Sequence, residues 1–143
     1  DANCTGTFAQ YTDHTACLSS CGATPRGATT DTAGDTAYCR LYHAGAANED
    51  AHCFHGGSSG GGVCGGLCEV YCREVQGYCT GANVQHASAA ECATACAAFD
   101  ATGVDGSAAG DTVQCRLYHL SFAQGDPAAH CAHAGVASTG VCE

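Results

Sequence analysis

Cys39-Arg40-Leu41-Tyr42-His43 returns later in the chain as Cys115-Arg116-Leu117-Tyr118-His119, each preceded by Gly-Asp-Thr, at Gly34-Asp35-Thr36 and Gly110-Asp111-Thr112. Working outward from these blocks, the matches continue in the same order on both sides. Upstream, Cys4-Thr5-Gly6 corresponds to Cys79-Thr80-Gly81, and twelve residues after its first cysteine each copy carries Cys-x3-Cys, as Cys17 with Cys21 and Cys92 with Cys96. Downstream, His52-Cys53-Phe54-His55 corresponds to His130-Cys131-Ala132-His133, and both copies close on Gly-Val-Cys at Cys64 and Cys142. The chain is therefore read as two tandem repeats, 1–64 and 79–143, separated by residues 65–78. What the copies share is the cysteines and the two histidine blocks.

Local signals place these blocks on short helices. Ser88-Ala89-Ala90-Glu91 is a capping box that opens a helix to Ala98, and Thr12-Asp13 open its equivalent, which Gly22 would end. Asp35 or Thr36, and Asp111 or Thr112, cap the helix carrying Arg-Leu-Tyr-His. Asp126-Pro127 supplies an N-cap followed by proline at N1 for a third helix, and Gly135 or Gly56 ends the histidine turn. On such helices Cys-x3-Cys presents both sulfurs on one face, as do His52 with His55 and His130 with His133. No stretch alternates as a strand would. The expected fold is mainly α, small and disulfide-rich, with two tandem repeats of short stapled helices and Gly-rich connectors. Gly56 to Gly62, glycine-rich but without lysine, is read as a flexible connector rather than a phosphate loop.

Composition fits a covalently held fold. Fourteen cysteines stand against four Phe, six Tyr, no Trp and no Met in 143 residues, so large apolar side chains are too few for an ordinary core. The even, high cysteine count places the chain in an oxidising compartment, extracellular or at a cell surface. The net charge is −10 with neutral histidines and no lysine is present, which disfavours nucleic acid, polybasic membrane tethering, P-loop chemistry and lysine Schiff bases. The apolar runs are too short for membrane insertion.

Residues 66–75, Gly66-Leu67-Cys68-Glu69-Val70-Tyr71-Cys72-Arg73-Glu74-Val75, read as a further helix with its own Cys-x3-Cys, either a connector or the leading helix of repeat 2. Residues 68–96 resemble α-hairpinin-like stapled helical hairpins, and that resemblance implies two rungs, Cys68 with Cys96 and Cys72 with Cys92. Cys17 and Cys21 then need cysteines inside copy one, which is the preferred reading, a neighbouring subunit, or a covalently attached group. More widely, the pattern Cys-Thr-Gly, Cys-x3-Cys, Cys-Arg-Leu-Tyr-His, His-Cys-x-His resembles cysteine-rich tandem repeats of secreted or surface-displayed bacterial proteins. This implies location and repeat architecture and transfers no functional residue.

Six of the eight histidines sit in the repeated blocks, while His14 and His86 do not match each other. His43, His52 and His55, and likewise His119, His130 and His133, are expected to converge on a transition metal. Imidazole suits copper and zinc, and three ligands leave an open position. Cys53 and Cys131, pointing away from the histidine face, are expected in disulfides. Bis-histidine haem is a less favoured variant, since no Cys-x-x-Cys-His occurs and few aromatics are available to wrap a porphyrin. The competing reading has the histidines bonded to buried carbonyls or carboxylates. Arg40 and Arg116 are read as ion-paired to Asp35 and Asp111, with anion binding as the alternative, and Tyr42 and Tyr118 as core aromatics. No free thiolate is expected to act as a nucleophile, so the chain is not expected to be an enzyme.

The sequence thus points to an extracellular disulfide-stapled repeat, a subunit of a surface polymer or filament, whose histidine cluster holds a redox metal centre. The alternative is a purely structural or adhesive cell-surface repeat without cofactor. Self-association is the expected partnership, with the leading helix that copy one lacks supplied by a neighbouring subunit.

Overall fold

The computed structural model describes residues 3–11, 13–46 and 50–143, apart from the side chains of Ser19 and Asp50. Its helices among these residues are α1 (His14–Ala23), α2 (Ala37–Gly45), α3 (Asp50–His55), α4 (Leu67–Tyr78), α5 (Ala89–Cys96), α6 (Val113–Ala123) and α7 (Pro127–Ala134), with single 3-10 turns between some of them. No strand forms among the described residues; a lone bridge links Asp100 and Thr112. The chain divides into two compact units, Asp1–Gly66 and Leu67–Glu143, so α4 packs as the leading helix of unit 2.

The helices begin where short polar side chains can satisfy free N–H groups. Asp13 accepts from Ala16 N at 2.9 Å, and Ser88 from Glu91 N at 3.1 Å. Thr36 and Thr112 accept from Cys39 N and Cys115 N, each at 3.1 Å. Threonine rather than aspartate takes these caps because Asp35 and Asp111 are engaged by Arg40 and Arg116, at 2.8 and 2.9 Å. Asp126 caps α7, with Pro127 in its first turn. Two ends differ from expectation: Gly22 lies inside α1, which Thr24 caps, and α5 stops at Cys96 rather than Ala98. The expected contribution of Thr12 to the start of α1 falls outside the described residues.

Six disulfides hold the units. Unit 1 contains Cys4–Cys53 and Cys39–Cys64, and unit 2 contains the equivalent Cys79–Cys131 and Cys115–Cys142. Cys68–Cys96 and Cys72–Cys92 staple α4 to α5 as two rungs, the pairing implied by the hairpin resemblance. Cys17 and Cys21 are free. The preferred expectation that they pair inside copy one is therefore corrected: the other four cysteines of that copy satisfy one another.

The apolar core of unit 2 is built from Val70, Tyr71 and Val75 of α4 against Val113, Leu117, Leu120 and Ala123 of α6, closed by disulfide cysteines and Ala134. Among the described residues of unit 1 the buried apolar side chains are those of Cys39, Cys53 and Cys64. Polar contacts take up the difference. Buried Arg40 donates through Nε to Gly57 O at 3.0 Å and through Nη2 to Ser58 O at 3.2 Å. The glycine-rich stretch expected to be a flexible connector is thus packed, with Gly57, Ser58 and Gly60 buried. Gly57 and its equivalent Gly135 lie against the side-chain oxygens of Gln10 and Gln85, which a Cβ at either position would displace. Tyr42, read as a core aromatic, is instead 54 % exposed, whereas Tyr118 is half-buried against Phe122.

One polar chain crosses the core of unit 2. The Tyr71 hydroxyl donates to Ala134 O at 2.8 Å and contacts His86 Nε2 at 2.8 Å, so the His86 ring carries its proton on Nε2. His86 Nδ1 is buried without a partner, and burial holds the imidazole below its ordinary 6.5, against an opposing pull from Glu91. Protonation would put an unsatisfied N–H in the core. The unfolded chain therefore binds the proton more readily, and the contribution of His86 is complete above pH 6.5 and lost as pH falls through the folded-state value. The urea midpoint of the metal-free protein should fall on acidification below that point, and His86→Gln should flatten the dependence. Leu117→Ala should cost about 2–5 kcal/mol by the same denaturation, while Leu41→Ala at the matching, 64 % exposed position should stay within about 0.5 kcal/mol.

Candidate metal centre

An imidazole can bind a metal only through an unprotonated nitrogen, so the proton position on each ring decides what the histidines can do. In unit 2, α6 supplies His119 and α7 supplies His130 and His133 one turn apart. His119 Nε2 donates to Ala108 O at 3.1 Å, which leaves its Nδ1 as a lone pair facing the cluster. His130 Nδ1 stands 3.2 Å and His133 Nδ1 3.3 Å from that atom. Nitrogens bound tetrahedrally at about 2.0–2.1 Å to one zinc-sized ion lie about 3.3 Å from each other, so the ring placement is that of a ligand set. The nitrogens of the three rings all lie within 4.8 Å of one another.

Two of these rings, His119 and His130, are held toward the neutral form. Burial lowers the titration of His119, against the Ala108 carbonyl and with help from His133 and His130. Burial and then His133 lower that of His130, with Asp126 opposing. His130 is also oriented by stacking: its ring lies 5.4 Å from Phe122 and 5.5 Å from His119, both near parallel.

Unit 1 repeats the anchor and differs at the third ring. His43 Nε2 bonds Thr32 O at 3.0 Å, the counterpart of the Ala108 contact, and the ring centroids of His55 and His52 lie 4.8 and 5.3 Å from that of His43. His43 Nδ1 and His55 Nδ1 are buried with no hydrogen-bond partner. Burial, then His43 and His52, hold His55 below its ordinary value. His52, however, turns its Nδ1 to Ala46 O at 3.1 Å, which leaves Nε2 as its donor atom. Ala46 stands where unit 2 has Phe122, so no aromatic face holds the His52 ring in the His130 orientation.

The three predicted histidines of unit 2 are thus brought together with nitrogens within 4.8 Å of one another, whereas in unit 1 the rings of His43, His52 and His55 are neighbours, with centroids 4.8, 5.3 and 6.1 Å apart, and their nitrogens do not converge to that distance. His14 and His86 belong to neither group. Sulfur atoms of Cys39 and Cys64, and of Cys115 and Cys142, also approach His43 and His119 within 4.8 Å, but both pairs are disulfides and offer no thiolate. Arg40 and Arg116 are ion-paired, and Arg116 additionally lies 3.8 Å over the Phe99 ring. Sequence reasoning missed the carbonyls of Thr32 and Ala108, because a backbone contact leaves no residue-type signature. It also missed Phe122, for which the contrast with Ala46 at the matching position was the available signal.

The structure defines a small, mainly helical, disulfide-stapled tandem repeat with a histidine group in unit 2 able to hold a metal ion. The chain belongs to the family of the BfoA family C-terminal domain, whose sequence profile matches it twice in tandem, over residues 1–67 and 65–143. No curated protein and no solved structure matches the chain significantly. The many disulfides fit an oxidising, extracellular environment, and no helix among the described residues is long and apolar enough to cross a membrane.

The proton placement can be read directly. Long-range 1H–15N correlation of the metal-free protein at pH 7.5 should show His119 and His43 protonated at Nε2 and bare at Nδ1; the opposite tautomer at His119 would remove the lone pair from the cluster.

Proposed function

We propose that this chain is an extracellular repeat protein in which each disulfide-stapled unit holds one transition-metal ion on three imidazoles: His119, His130 and His133 in unit 2, and His43, His52 and His55 in unit 1. The observation that carries this reading is His119 Nδ1, whose proton has been displaced to the Ala108 contact and which faces two further imidazole nitrogens at 3.2 and 3.3 Å. A purely structural role for the histidines accounts for the Nε2 contacts to Thr32 and Ala108. It gives no reason for the buried, partnerless Nδ1 atoms of His43 and His55.

Copper is the favoured ion. The affinity order for nitrogen ligands peaks at Cu²⁺, and copper gives the centre a redox couple, whereas zinc would make it structural. Bis-histidine haem fits poorly, because axial ligands must stand on opposite faces of a macrocycle and these nitrogens touch one another with no plane between them. Around the ion the chain contributes neutral nitrogens, carbonyl anchors that fix their direction, and an open fourth position.

Metal-free protein titrated with Cu²⁺, dialysed and analysed for metal should retain two ions per chain. His130→Ala with His133→Ala should remove one, and His52→Ala with His55→Ala the other, each with helical circular dichroism preserved. Metal retained by all these variants, or none retained by the native chain, would overturn the assignment. Unit 2 should fill first because Phe122 pre-orients His130, and Phe122→Ala should weaken its affinity about 10-fold.

A further inference from the structure

Residues that are covered in unit 2 have matching residues in unit 1 that are exposed. In unit 2, Cys92 and Cys96 of α5 are 0 % and 1 % exposed beneath α4, and Leu117 of α6, which packs in the same cluster, is 1 % exposed. At the matching positions of unit 1, Cys21 is exposed, Cys17 is part-exposed, both are free thiols, and Leu41 is 64 % exposed. The same two helices thus present the same two sulfurs and the same leucine in both units, and in unit 2 they are covered by one helix through two disulfides and three apolar side chains, Val70, Tyr71 and Val75.

We propose that the α1–α2 face of unit 1 is a docking site for a helix of the α4 kind, carrying Cys-x3-Cys with an apolar stripe, presented by a further repeat of the same family and locked by two disulfides. The occupant is identified by the covered unit: within this chain that helix is the segment that follows the closing Gly-Val-Cys of one repeat and staples to the next. By the same register, the first cysteine of the incoming helix bonds Cys21 and the second bonds Cys17, as Cys68 bonds Cys96 and Cys72 bonds Cys92. Two thiols lose two protons and two electrons for each bond, and a disulfide oxidant such as oxidised glutathione takes them up and leaves as two thiols. The α4 of a second copy cannot serve without vacating its own unit, so the donor is a repeat whose leading helix is otherwise unengaged.

The test is capture of a synthetic peptide with the sequence of residues 66–78, in reduced form, by the full chain in a glutathione redox buffer. The expected product has the summed mass less four hydrogens, and fragment mapping finds the peptide's first cysteine on Cys21 and its second on Cys17. A peptide in which the three apolar residues equivalent to Val70, Tyr71 and Val75 are serine should react at least 10-fold more slowly, as should the Leu41→Asp chain with the native peptide. Equal rates for the two peptides would show thiol exposure alone and overturn the proposal. So would conversion of the chain to a Cys17–Cys21 disulfide, or to a dimer joined through these cysteines, in preference to capture.

Discussion

In each unit one disulfide ties the turn that opens the repeat to the short histidine helix, as Cys4–Cys53 and Cys79–Cys131, and a second ties the Arg-Leu-Tyr-His helix to the closing Gly-Val-Cys, as Cys39–Cys64 and Cys115–Cys142. These closures span 49, 52, 25 and 27 residues of sequence, so each removes much of the freedom of the unfolded chain and is worth about 2–5 kcal/mol. α3 and α7 are too short to persist alone. Held by a cystine on one face, each can present its two histidines on another. The buried arginines complete the frame: Arg40 joins its helix start and Asp35 to the carbonyls of Gly57 and Ser58, and Arg116 bonds Thr112 O and Asp111, so neither guanidinium is free for an anion.

The histidine groups follow from this frame. In unit 2 a helix pair brings three imidazoles together, a loop carbonyl eleven residues upstream fixes the proton on the first of them, and burial lowers the titration of His119 and His130. Such an arrangement has its directions chosen in advance of any ion, the condition for tight binding. The two units differ at the third ring. Phenylalanine at position 122 stacks on one imidazole; alanine at position 46 leaves the corresponding ring to bond a carbonyl.

Much of this was legible in the sequence. Repetition gave the blocks, capping residues gave the helix starts, and residue type at i, i+3 and i, i+4 spacing gave the histidine groupings. Less visible was anything carried by backbone or by packing. The Ala108 and Thr32 carbonyls lie in loops whose residues differ between copies. The glycines from 56 to 62 suggested mobility, yet Gly57 and Gly60 are packed against Gln10 and Arg40. Tyr42 lacks the phenylalanine against which Tyr118 packs, and Leu41 matches the buried Leu117 of unit 2 but is exposed, since Leu117 packs in a cluster with α4, which covers one unit and not the other. The fate of Cys17 and Cys21 was unreadable for the same reason.

X-ray absorption at the copper edge of the loaded protein tests most directly whether the stapled helices present three imidazoles to one ion. The account predicts a first shell of nitrogen or oxygen at about 2.0 Å with the outer-shell scattering of three imidazole rings and no sulfur. A shell containing sulfur, or one with fewer than two imidazoles, would contradict it, because the cystines beside His43 and His119 would then be ligands in another redox state and the histidines would have been assigned the wrong role.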